Sequence, residues 1–226
     1  ADKPTDGRGA RYGGVAFGGA RDQGGPFARS VEDAALALNA STGHDPLDAT
    51  SEDVRTDFTA NLAEGVRGMK IGLVREFMEA EGLQPEVRAK IEDAAEQLRQ
   101  LGAEIVEVDL PNAKSAISAY YVLGPCEAFS NLSRFDSVRY GYCAEGHADL
   151  GGQYEESRAK GFGIEARRRI MLGSYLLSAG VYEKYYYPAQ QVRTLITNDY
   201  VEAYKKCDCI LAPAAPRTAF KFGEIS

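Results

Sequence analysis

The sequence contains no tryptophan, three methionines, four cysteines and only two histidines, His44 and His147, among its 226 residues. Each shortage excludes something. Histidine chemistry needs a placed partner, and with so small a supply a Ser-His-Asp or Cys-His triad is not expected. Both histidines read as structural or solvated, His44 in the turn before Asp45-Pro46. Cys126, Cys143, Cys207 and Cys209 lack the spacing of a secreted disulfide scaffold. No basic stretch leads into an apolar one, so they read as reduced cytosolic thiols. Cys207-Asp208-Cys209 falls short of a structural zinc site, which takes its ligands from paired C-x(2–4)-C units. These residues read instead as part of a strand core. Basic charge is short too: 26 Lys and Arg stand against 33 Asp and Glu, a net charge of −7. Such a chain does not grip a phosphate backbone by itself, although another member of an assembly could. No apolar run reaches the roughly 18 residues of a membrane span. Neither a G-x-x-x-x-G-K-[ST] loop nor a strand-borne G-x-G-x-x-G occurs.

What is present is globular in character, 44% hydrophobic and 26% charged, and long enough to bury a core. The start is glycine-rich: Gly7, Gly9, Gly13, Gly14, Gly18, Gly19, Gly24 and Gly25 surround Val15-Ala16-Phe17. This reads as loop, short strand, loop. Ser30-x-x-Asp33 is a helix-capping pattern, followed by Val31, Ala34, Ala35 and Leu38 on one face and Gly43 as the stop. Residues 44–68 are polar and irregular. The clearest unit spans 69–109. Met69, Ile71, Leu73 and Val74 predict a strand. Pro85 suits a first helical turn, and Val87, Ile91, Ala94, Ala95, Leu98 and Leu101 form a helical stripe that ends at Gly102. Ile105, Val106 and Val108 predict the second strand of a βαβ crossover. Beyond it, residues 113–206 read as mainly helical, with breaks near Gly124-Pro125 and near Gly180 or Pro188. The segment 141–163 reads as a loop or short helix, and Cys209 to Ala212 as a buried strand stopped by Pro213. The fold class is therefore α/β.

Two clusters carry candidate chemistry. Tyr175, Tyr182, Tyr185, Tyr186 and Tyr187 crowd one helical region, either as a helix-packing face with phenols at its edge or as a pocket wall. Arg167, Arg168 and Arg169 precede Ile170-Met171-Leu172. Such a cluster is a solvated helix start unless one member turns inward, where its guanidinium can fork onto a carboxylate.

Taken together, several stretches resemble one family. They are Lys3-Pro4-Thr5, Gly7-Arg8, Arg11-Tyr12-Gly13, Val15-Ala16-Phe17, Asp22-Gln23, Gly25-Pro26-Phe27-Ala28-Arg29, Val31-Glu32-Asp33-Ala34-Ala35 and Gly43-His44-Asp45-Pro46. Their order and spacing resemble the region just after the nucleophile motif of amidase-signature enzymes. Tyr120-Tyr121, Glu127-Ala128, Ser130-Asn131-Leu132, Arg134-Phe135-Asp136, Gly161-Phe162-Gly163, Arg168 through Gly173, Val192 through Ile196 and Ala212-Pro213 narrow the resemblance. They are similar to the A subunits of tRNA-dependent amidotransferases. At the start, Asp6, Gly9, Ala10, Gly14, Gly18, Gly19, Arg21 and Gly24 depart from the residues more usual in that family.

The resemblance implies a mixed sheet covered by helices and a single amidase-signature domain over 1–226, incomplete at its start. Residues 1–29 would follow the nucleophile motif, and 113–206 would form the substrate-pocket region. It implies hydrolysis of glutamine, with ammonia passed on to convert Glu-tRNA(Gln) to Gln-tRNA(Gln) or to amidate Asp-tRNA. The B and C subunits of the amidotransferase are the implied partners, with tRNA held indirectly through the B subunit. ATP and magnesium are used by that partner, and this chain holds no cofactor. The implied location is the bacterial cytoplasm or an organelle. The family's lysine and two serines lie upstream of the segment matching Lys3, so no catalytic residue carries over and the 226-residue chain alone is expected to be catalytically incomplete. Apolar surface is expected to be exposed. Two substrate-binding positions do carry over, Tyr120 and Arg169, the latter for the α-carboxylate of glutamine. A stand-alone amidase of the same family and a non-catalytic scaffold are the alternatives.

Overall fold

Local chemistry accounts for most element boundaries. The computed structural model describes residues 1–19 and 22–224. Its helices are α1 (Val31–Ser41), α2 (Arg75–Met78), α3 (Pro85–Gln100), α4 (Ala116–Leu132), α5 (Leu150–Gly161), α6 (Ile164–Leu176) and α7 (Tyr182–Ala203). Its strands are β1 (Lys70–Val74), β2 (Glu104–Val108) and β3 (Cys209–Leu211), and a 3-10 turn, Ala113–Ser115, leads into α4. The chain divides into two compact units, Ala1–Ala63 with Tyr120–Ala189 and Glu64–Ala119 with Gln190–Ser226.

The second unit contains the βαβ element expected from the sequence. Strands β2-β1-β3 form a parallel sheet, with Ile71 opposite Ile105 and Cys209. Pro85 opens α3, and Gly102, at φ +96°, ends it in the left-handed region that suits glycine. Along the α3 stripe Ala95 is buried, but Leu101 is 62% exposed because it caps the helix rather than continuing its inner face. The short α2 lies between β1 and α3. Val74, Val108, Leu110, Ala203 and Cys207 form the buried cluster of this unit, with Tyr200 and Ile210 packed on it. Gly72 leaves room for the Sγ of Cys207, which would lie 2.8 Å from any Cβ placed there. β3 is half-buried rather than buried. Just before it, the Asp208 amide donates to the Lys70 carbonyl at 2.8 Å, and the Lys70 amide donates to the Asp208 carboxylate at 2.8 Å.

In the first unit, Ser30 caps α1 by accepting from the Asp33 amide at 3.1 Å. Ala35 and Leu38 are buried, whereas Val31, placed on the same face by spacing, is 74% exposed. Asp149 caps α5 by accepting from the Gly152 amide at 2.7 Å, so the segment 141–163 is half loop and half helix. Of the two expected breaks, the one near Gly124-Pro125 is absent, and the other falls at Gly180 rather than at its alternative, Pro188. Pro125 lies inside α4 and Pro188 inside α7. Gly124, which lacks a Cβ, relieves part of the clash that a proline imposes on its predecessor. Gly180, between α6 and α7, takes φ +79°.

The short strand expected at Val15-Ala16-Phe17 does not form. The Phe17 and Gly18 amides donate to the Asp22 carboxylate, at 2.8 and 3.1 Å, instead of to a neighbouring strand. Arg21, one of the departures from the family's usual residues, lies outside the described residues. The glycine-rich start is tied to the 43–52 loop by backbone bonds from Gly43 to Arg8 and from Glu52 to Gly7, at 3.1 and 2.9 Å. Asp48 is the polar hub of that junction. It accepts from the Thr50 hydroxyl at 2.7 Å, the Arg11 amide at 2.8 Å and the Thr50 amide at 2.9 Å. Those bonds, led by the Thr50 hydroxyl, hold its pKa down to about 2.

Candidate functional site

Tyr120 and Arg169, 49 residues apart, meet in the first unit. The Nη1–H of Arg169, on α6, donates to the Tyr120 hydroxyl on α4 at 2.9 Å. Of the three consecutive arginines, Arg167 and Arg168 are on the outer side of the helix and Arg169 is turned inward with its side chain 30% exposed. Its Nε–H donates to Glu165 Oε1 at 2.9 Å, one helical turn earlier. Its Cζ stands 5.4 Å from the centre of the Phe17 ring, within range of a cation–π contact. The Arg169 hydrogen bond, ahead of the Arg168 charge, lowers the pKa of Glu165 and keeps that carboxylate ionised.

The scaffold around these groups is specific. The Tyr120 ring lies over Gly124, where a Cβ would come within 3.2 Å of it, and meets Tyr121 edge-on at 5.5 Å. Phe17 is held from two sides: its amide by Asp22, and its carbonyl by Asn131 Nδ2 of α4 at 3.0 Å. Gly173, one turn beyond Arg169, is pressed against the carbonyl of Pro125. This close approach of α6 to α4 sets the spacing between Arg169 and Tyr120. The site is thus a cationic fork backed by an aromatic face and a phenol, an arrangement suited to a planar carboxylate.

Tyr175, Tyr182, Tyr185 and Tyr187 are 38–59% exposed, and Tyr182 stacks on Tyr186 at 5.0 Å. They make a surface aromatic stretch rather than a buried packing face. His44 lies just outside the turn expected to hold it, which falls at Pro46-Leu47. Among the described residues no group of three or more His, Cys, Asp or Glu side chains is arranged to hold a metal ion. Cys207 is buried, and Cys126 is buried enough to push its thiol pKa up to about 11, with Glu127 adding to the shift. Apolar side chains are exposed at Phe27, Val31, Ile164 and Met171. Glu165 is the site residue that sequence reasoning passed over. Its one signal is the i, i+4 spacing to Arg169, which ordinary helix surfaces share.

Comparison with known proteins gives a consistent picture. The Amidase family model matches residues 3–226. The chain is 53% identical over 225 residues to the A subunit of glutamyl-tRNA(Gln) amidotransferase from Thiobacillus denitrificans, covering 99% of this chain and 46% of that protein. It is 51% identical over 223 residues to its counterpart from Marinobacter nauticus, covering 98% and 46%. The crystal structure of the Thermotoga maritima A subunit superposes with a TM-score of 0.74 at 37% identity, over 99% of this chain and 44% of that one. A bacterial aryl acylamidase of the amidase signature family superposes at 0.68 with 26% identity, over 98% and 43%. The chain therefore spans a little under half the length of the curated relatives it matches.

Proposed function

The chain belongs to the amidase family, and from that membership we propose that it is part of the glutamine-hydrolysing A subunit of a tRNA-dependent amidotransferase. The observation that carries this reading is the inward Arg169 bonded to Tyr120, within a chain about half identical to proteins of that name. An amino-acid substrate brings an α-carboxylate, and the Arg169 guanidinium offers paired N–H donors in one plane to receive it. Tyr120 and Phe17 define the walls. With the α-carboxylate anchored there, the side-chain carboxamide is directed to the nucleophile.

By resemblance, that nucleophile is a serine in the sequence preceding the segment that matches Lys3-Pro4-Thr5, activated through a second serine and a lysine. Its oxygen adds to the carboxamide carbon, and backbone N–H groups hold the resulting oxyanion. The C–N bond then breaks as nitrogen takes a proton and leaves as ammonia. Water cleaves the acyl-serine to glutamate. The ammonia passes to the B subunit, which uses ATP and magnesium and holds the tRNA, while the C subunit completes the assembly. The acidic balance of the chain suits this division of labour, which belongs in the cytoplasm or an organelle.

The test is glutamine hydrolysis by the full-length protein with its partners. Arg169→Ala removes a charged hydrogen-bonding group of the kind that contributes about 1.5–3 kcal/mol, so KM for glutamine is expected to rise about 10- to 150-fold. An unchanged KM refutes the assignment. The likeness to the aryl acylamidase favours a second reading, a stand-alone amidase acting on an amide without an α-carboxylate. Hydrolysis of such amides unaffected by Arg169→Ala would establish that reading instead.

A further inference from the structure

We propose that Glu165 is a positioning residue that holds the Arg169 guanidinium in its carboxylate-binding orientation, and so sets the preference of the site for substrates bearing an α-carboxylate. This rests on the role of Arg169 proposed above. An arginine side chain has several rotatable bonds, and an unrestrained one must be ordered each time a ligand binds. Here the ordering is built in. Glu165 Oε1 accepts from Nε at 2.9 Å, Tyr120 accepts from Nη1 at 2.9 Å, and Phe17 covers a face of the guanidinium. The described residues make no hydrogen bond to Nη2, which leaves the far end of the fork for a ligand.

Glu165 is itself held. Its Oε2 accepts from Arg168 Nη1 at 2.7 Å. It also lies in the first turn of α6, where the helix dipole favours a carboxylate. Arg168 therefore acts at one remove, fixing the residue that fixes Arg169. Glu165, Arg168 and Arg169 together carry a net charge of +1, so this trio keeps an attraction for anions although Arg169 already has a carboxylate partner.

A plain surface pair at i, i+4 would change only helix stability, and by little. A purely electrostatic effect of Glu165 would oppose substrate binding, so its removal would lower KM. Positioning makes the opposite prediction, and this difference of sign provides the test. Glutamine and its α-carboxamide, L-glutaminamide, are compared as substrates of the full-length protein with its partners, in Glu165→Ala, Glu165→Gln and Arg169→Ala forms. Glu165→Ala is expected to raise KM for glutamine about tenfold with kcat little changed, and to leave glutaminamide unaffected. Glu165→Gln keeps an oxygen acceptor for Nε–H and is expected to recover most of the loss. A lowered or unchanged KM in Glu165→Ala, or equal behaviour of the Ala and Gln variants, overturns the proposal. Arg169→Ala separates the two levels. If it too leaves the glutamine-to-glutaminamide ratio unchanged, the carboxylate site itself is wrong. If it collapses that ratio while Glu165→Ala does not, only the positioning role falls.

Discussion

Gly173 of α6 lies against the carbonyl oxygen of Pro125 in α4, so close that a β-carbon there would overlap that oxygen and stand 2.7 Å from the Phe129 Cβ. Pro125 lies five residues after Tyr120, and Gly173 four after Arg169. The helix crossing and the Arg169–Tyr120 hydrogen bond therefore belong to one piece of geometry.

Gly173→Ala should consequently damage both stability and the site. Gain of a methyl through better helix propensity is worth about 1 kcal/mol, but overpacking against backbone costs about 1–3 kcal/mol, and here the obstacle is a main-chain carbonyl that cannot rotate away. The expected result is a lower thermal midpoint and, because α6 is pushed off α4, a raised KM for glutamine. Thermal unfolding followed by circular dichroism checks the first, and steady-state kinetics of the full-length protein checks the second. A variant as stable as the parent would show that the crossing is looser than described.

Asp48 makes a prediction about acid. Its pKa in the folded chain is about 2, below the ordinary 3.8, chiefly through the Thr50 hydroxyl and then the Arg11 amide. A carboxylate whose pKa is depressed by folding adds stability that is present in full above its unfolded value. That stability is lost as pH falls from about 4 to about 2. Asp48→Asn should be less stable than the parent at pH 6, and its stability should fall less steeply over that acid range. Urea midpoints at several pH values measure the slopes. Parallel curves for the two proteins would show that Asp48 is not the group responsible.

Asp199 of α7 anchors the residue that precedes the 3-10 turn. Its carboxylate accepts the Asn112 amide at 2.8 Å and the Asn112 side-chain Nδ2 at 3.0 Å, both partly buried. Asp199→Ala strands two donors and should cost about 1–3 kcal/mol. The urea midpoint is expected to fall with the slope of the transition unchanged, since the surface exposed on unfolding stays the same. A midpoint within error of the parent would mean that water replaces the carboxylate.

The sequence revealed the sheet unit better than the site. The βαβ element shows itself because the apolar period switches from strand to helix and back, with Pro85 and Gly102 marking the ends of α3. Pro125 misled because proline is a local signal, and helix packing overrides it when the residue before has no Cβ, whereas the break expected near Gly180 or Pro188 does occur, at Gly180. Val15-Ala16-Phe17 looked like a strand because its composition fits one, but a strand needs a partner, and Asp22 takes the amides of Phe17 and Gly18. Arg169 could not be told from Arg167 and Arg168 by periodicity. The resemblance singled it out, and the geometry gives it Tyr120 as a partner. Glu165 had no distinguishing mark in the sequence, since an acid four residues before an arginine is commonplace on helices.

Cys207-Asp208-Cys209 has one more consequence. Lys70 exchanges two hydrogen bonds with Asp208, one through the main chain and one through the carboxylate. The side chain thus stands in for a carbonyl at the point where β3 begins to pair with β1. A strand of three residues has little of its own to resist sliding along its neighbour. A shift by one position would put a cysteine opposite Lys70, which could answer the main-chain bond but not the carboxylate one. What resembles a fragment of a metal motif is therefore an alignment key, and it lets a very short strand find a single register.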